Sequence, residues 1–139
     1  MNKKPGSNPL KNLLAGVLLL ALAPLAMGTT AITANGTSIA SKLEEQGKMN
    51  NLKVTDLRAT KRDNLLRIQA EITNISSGNQ QLYYRLRWLD NDGLIVWDEE
   101  PWKPMIVYGN QKQVISVGSP TFKATDFRLI LQSPDSVPN

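Results

Sequence analysis

QQLYYRLRWLDNDG, residues 80–93, is the stretch whose reading decides the fold class. Leu82, Tyr84, Leu86 and Trp88 alternate with Tyr83, Arg85 and Arg87, so one face of an extended segment is apolar and the other polar or amphipathic. That period of two is the pattern of a half-buried antiparallel strand. DNDG then gives a hairpin turn in which Gly93 takes positive φ without a Cβ penalty.

The same pattern extends on both sides. Upstream, Leu66, Ile68, Ala70 and Ile72 share one face while Arg67, Gln69, Glu71 and Thr73 share the other. Downstream, Ile115 and Val117, then Phe127, Leu129 and Leu131, supply a facing apolar layer. Seven strands are predicted, near 52–60, 64–74, 80–90, 94–98, 105–108, 112–118 and 125–132. Short strands separated by turn signals, with no room for helical crossovers, predict an all-β chain folded as an immunoglobulin-like antiparallel β-sandwich.

The 139 residues permit one domain with a single core, and 41% apolar with 20% charged residues is globular composition. The formal charge of +4 does not describe the folded part. Lys3, Lys4 and Lys11 precede an apolar run, leaving 13 basic against 12 acidic residues from Thr29 onward. No basic footprint for nucleic acid remains. Cys and His are both absent, which removes disulfides, thiol nucleophiles, thiolate zinc sites and the commonest general base.

Residues 1–28 read as an export signal or membrane anchor: a basic start without acids, then the uncharged LLAGVLLLALAPLAM from Leu13 to Met27. Ala26 and Gly28 form a small-x-small site for cleavage before Thr29. The charge-free stretch 13–34 also has the ~20 residues needed to span a bilayer, so an uncleaved membrane tether is the competing reading. Residues 29–50 read as a polar linker in which Ser41, Glu44 and Gly47 could frame a short helix. Residues 51–133 form the sandwich domain and 134–139 a tail. The sequons at Asn35 and Asn74 would matter only in a eukaryotic secretory route.

The acidic groups bring alternatives. Asp90, Asp92 and Gly93 resemble the head of a calcium loop, but the spacing fails, since Pro101 stands where the last ligand should be. Asp98, Glu99 and Glu100 read as a solvated loop, with a hard-cation site or a carboxylate pair for sugar hydrolysis as the competing readings. No metal, cofactor or small-molecule substrate is expected, and no catalytic residue is assigned. Candidate partner-binding residues are Trp97, Trp102, Tyr108, Arg85 and Arg87. Trp88 reads as core. Trp102, between Pro101 and Pro104, belongs at a sheet edge or over the end of the sandwich, either covering the core or standing out as an anchor. Arg85 and Arg87 are expected on the solvent face, pairing with acids on neighbouring strands or on a partner.

EITNISS, QQLYYRLRWLDNDGLIVW, the Trp-bearing connection and SVGSPTFKATDFRLIL together resemble the YcfL-like family of small bacterial envelope proteins, over about residues 50–132. The most specific piece is the run from Tyr84 to Asp90 followed by Gly93. The resemblance implies a seven-stranded sandwich exported to the periplasm of a Gram-negative bacterium, usually as a lipoprotein, with no catalytic residues to carry over. This chain departs at the anchor, because Thr29 stands where a lipoprotein signal needs Cys. The expectation is a non-enzymatic periplasmic or cell-envelope protein that binds another envelope protein through a sheet edge or the 97–108 connection. A structural accessory subunit of a secretion or peptidoglycan-synthesis complex is the alternative, and a ligand-binding or hydrolytic domain a third.

Overall fold

A computed structural model describes residues 38–134. The expected signal or anchor (1–28), residues 29–37 of the expected linker and residues 135–139 lie outside the described residues. Seven strands follow a short 3-10 turn at Ile39–Lys42: β1 Leu43–Gln46, β2 Leu52–Arg62, β3 Leu65–Asn74, β4 Gln80–Leu89, β5 Lys103–Val107, β6 Lys112–Gly118 and β7 Asp126–Gln132. They form two sheets, a four-stranded one ordered β1-β7-β4-β5 and a three-stranded one ordered β2-β3-β6. The all-β, two-sheet sandwich is the expected one.

The core lies between the sheets, where the period of two puts it. Leu66, Ile68, Ala70 and Ile72 of β3 and Ile115 of β6 meet Leu82, Leu86 and Trp88 of β4 and Leu129 and Leu131 of β7. Each such Leu or Ile taken out of water contributes roughly 1.5–3 kcal/mol before entropy is counted. On β2 the register shifts between Val54 and Asp56, a β-bulge that changes which parity faces inward. Leu52 and Leu57 are therefore both buried despite their odd separation.

Two elements differ from expectation. Residues 43–46 were expected within a linker, with Ser41 capping a helix; instead β1 pairs in parallel with β7, Leu43 opposite Leu129 and Gln46 opposite Gln132. The Ser41 hydroxyl donates back to the Ser38 carbonyl at 2.7 Å. LEEQ has no apolar alternation, because this strand is held by its backbone ladder and by Lys42, which binds the Asp126 carboxylate at 2.6 Å. Residues 94–98 were expected to form a strand and do not. They turn back along β4 through an isolated bridge, Leu89 to Ile95, and leave the sheet at once.

Asn74 ties the two sheets together. Its buried side-chain amide donates to the carbonyls of Gly78 (2.7 Å) and of Val107 on β5 (2.9 Å), and its oxygen accepts from the Ser76 N–H at 2.9 Å. The nitrogen that a glycan would require is thus committed twice. Nearby, Gly109 is required by close approach, since a Cβ there would lie 2.0 Å from the Ser77 carbonyl oxygen.

Candidate binding face on the four-stranded sheet

The β4–β5 ladder ends at Tyr84 opposite Lys103. Pro101 cannot donate to it, so the chain departs and the edge of β4 beyond Tyr84 needs other partners. The connection 94–102 provides them. Val96 N–H donates to the Trp88 carbonyl at 3.0 Å, and the Glu100 carboxylate accepts the Trp88 indole N–H at 3.0 Å and the Leu86 amide at 3.4 Å. One side chain thus replaces part of a missing strand.

In passing, the connection roofs the outer face of this sheet. Ile130 and Leu89 point away from the core by parity, yet both are buried. Between the roof and the sheet lies a cleft of about 270 Å³, floored by Leu86 and Ile130, walled by Ile95 and Trp97, and rimmed by Arg85, Arg87, Asp98 and Glu99.

Arg85 is the electrostatic centre of the cleft. Its guanidinium stacks on the Trp102 ring, 4.2 Å from the centroid, and pairs with the Glu99 carboxylate. The Arg85 side chain is only 14% exposed whereas Glu99 is 70% exposed. Its Nε is buried and has no hydrogen-bond partner. A buried charge held by a solvated carboxylate can exchange that carboxylate for another at little cost to the leaving group, while the Arg must keep an anion. Arg87 is tied across the sheet to Glu44 of β1 at 2.7 Å.

Two carboxylates elsewhere sit below their ordinary values. For Asp126, partial burial pushes upward, but hydrogen bonds from Lys42, the Phe127 amide and Arg128 together outweigh it. For Glu71, on the open face of the other sheet, the Thr55 hydroxyl and then Lys112 hold the carboxyl down. Both groups fasten strands and neither lines the cleft.

The structure brings Arg85, Trp97 and Trp102 together, with Arg87 at the rim. Tyr108 is not part of this group: it is exposed beyond the far end of β5, where its carbonyl accepts the Gln111 amide. Arg85 was expected in solvent and is instead covered, because the connection folds over it. DNDG forms the expected turn. Gly93 has φ 79° and its N–H donates to the Asp90 carbonyl at 3.1 Å, while the Asp90 carboxylate accepts from the amides of Asp92 and Leu94. The carboxylates of the 98–100 run take separate places, Glu99 on Arg85 and Glu100 on β4. Among the described residues no group of three acidic or other ligating side chains is placed to hold a metal ion. Ile130 and Glu44 escaped sequence reasoning. The near-continuous apolar run of β7 was the available signal for Ile130, since it marks a strand covered on both faces.

Fold and face together define a small two-sheet β-sandwich with one open outer surface and one roofed by its own connection. Residues 39–133 match the family model described as Protein of unknown function (DUF1425), and the chain belongs to that family. The match begins where the 3-10 turn begins, so β1 lies inside the family's domain. No curated protein matches the chain. Two solved structures are similar. Campylobacter jejuni cj0090 has 18% identity over 66% of this chain and 97% of its own, with a TM-score of 0.59, a likeness of fold. A DUF1425 family member from Shewanella sp. pv-4 has 26% identity over 63% of this chain and 81% of its own, with a TM-score of 0.56.

Proposed function

We propose that this chain is an exported cell-envelope protein, a YcfL-like member of its family, that acts without catalysis by binding another envelope protein through the Arg85–Trp97–Trp102 face. The observation that carries this reading is Arg85: a largely buried cation with an unpaired Nε, held by a carboxylate that is itself mostly in water. A partner carboxylate displaces Glu99, and an apolar side chain beside it enters the cleft over Ile130, with Trp97 as the wall. Aromatic and Arg side chains around a desolvated pocket are the composition of binding hot spots. Export is supported by the basic start and apolar run of residues 1–28.

The test uses the tagged full chain, captured from the envelope of the cells that make it, beside Trp97→Ala and Arg85→Met. Both variants are expected to lose the co-purifying protein while stability changes by less than about 1 kcal/mol, since a buried Arg pair replaced by an apolar side chain is often neutral. Unchanged capture in both removes the binding face. Intact mass of the captured chain reads export separately: a start at Thr29 marks cleavage, and a chain confined to the cytosol ends the envelope reading.

A further inference from the structure

Four large apolar side chains left in solvent gather at one end of the sandwich. There the β2–β3 hairpin turns at Asp63 and Asn64, the connection 119–125 joins β6 to β7, and the 90–93 turn leaves β4. Backbone bonds hold these loops side by side: Ser119 N–H to the Leu66 carbonyl at 2.7 Å and Thr125 N–H to the Leu89 carbonyl at 2.9 Å. Phe122 is 68% exposed, Ile95 65% and Leu94 64%, and Trp97 borders them. Lys61, Arg62 and Lys123 are exposed at this end and make no ion pair among the described residues.

The chain enters the domain at that same end. β1 is parallel to β7, so its first residue points towards the start of β7, and Lys42 just before it grips Asp126 there. If the charge-free stretch 13–34 lies in a bilayer, residues 35–37 alone separate it from Ser38. Three residues reach at most about 10 Å. A strand as long as β3 spans roughly 33 Å, so this tether cannot bring the opposite end of the sandwich to the lipid.

We propose that this end docks on the phospholipid surface, with Leu94, Ile95 and Phe122 entering the boundary between headgroups and acyl chains and Lys61, Arg62 and Lys123 meeting lipid phosphates. Asp63, Asp90 and Asp92 lie at the same end, so apolar insertion rather than net charge supplies the attraction. The proposal rests on the exported reading in its anchored form. It leaves the Arg85 cleft facing sideways along the membrane, within reach of an envelope partner.

The chain has no Cys, so single labels are clean. The full chain carrying Phe122→Cys or Ile75→Cys, each with an environment-sensitive fluorophore, is reconstituted into vesicles of phosphatidylethanolamine and phosphatidylglycerol brominated high on the acyl chain. Ile75 is exposed at the opposite end, its N–H bonded to the Asn51 carbonyl. The expected result is a blue shift and loss of most emission for the label at 122, with the label at 75 unchanged. If both labels stay in water while the chain floats with the vesicles, the docking surface is overturned and the anchor stands. A chain that is isolated starting at Thr29 and does not float overturns the anchored reading, and the proposal with it.

Discussion

On the three-stranded sheet the outward positions of β3, namely Arg67, Gln69, Glu71 and Thr73, meet water or polar neighbours such as Thr55 and Lys112, as an open face requires. On the four-stranded sheet the outward Leu89 and Ile130 are buried, and outward Arg85 is nearly so. The two inner faces are built alike. What separates the outer faces is one connection, 94–102, which must satisfy the edge of β4 beyond the end of the β4–β5 ladder and in doing so covers the sheet. A roofed face is where an otherwise ordinary sandwich gains a cleft and a buried cation.

The contact common to both sheets gives the largest expected effect. Asn74→Ala removes the amide that links β3 to the Val107 carbonyl and strands several buried polar groups, for an expected loss of about 3 kcal/mol in denaturant unfolding. A loss below about 1 kcal/mol would mean that the sheets are joined by apolar packing alone.

Glu100→Ala sharpens the contrast next. It leaves the Trp88 indole N–H and the Leu86 amide unpaired beneath the roof, at an expected cost of about 2 kcal/mol. Hydrogen exchange at Leu86 should speed up in the same variant. Glu71→Ala, on the open face, should cost clearly less than Glu100→Ala, because its pairs are screened by water. Equal costs would erase the distinction between the faces.

The smallest effect concerns the fastening of β1. The Asp126 carboxyl is depressed in the folded protein, so its contribution is fully present above the unfolded Asp value of ~3.9 and is lost as pH falls through the lower folded value. Asp126→Asn should lower the neutral-pH thermal midpoint slightly and flatten its fall on acidification below about pH 4. An unaltered acid profile would show that Lys42 and Arg128 gain nothing from this group.

Legibility followed the same division. The open sheet could be read directly, because alternation on β3 reports one wet and one dry face. Trp88 was legible as core for the same reason. LIVWD at 94–98 has strand composition but forms only a bridge, since those apolar residues serve as a roof rather than a ladder. LEEQ at 43–46 has loop composition but forms a strand, because backbone pairing with β7 needs no side-chain pattern. Arg85 was legible as a polar outward residue and its burial was not, for nothing local encodes that residues 97–102 return over it. Trp102 was legible as a site candidate from its place between Pro101 and Pro104, and Trp97 from its place at the same connection; that Arg85 stacks on Trp102 was not.

The parallel pairing of β1 with β7 joins the first of the described strands to be synthesised with the last of them. β1 finds its ladder only after Gln132 has been made, and the core meanwhile lacks Phe127, Leu129 and Leu131. Contacts so distant along the chain form slowly, because the intervening loop must close before they can be made. On emergence of the chain from its amino end, β1 therefore waits for β7 before its ladder can form.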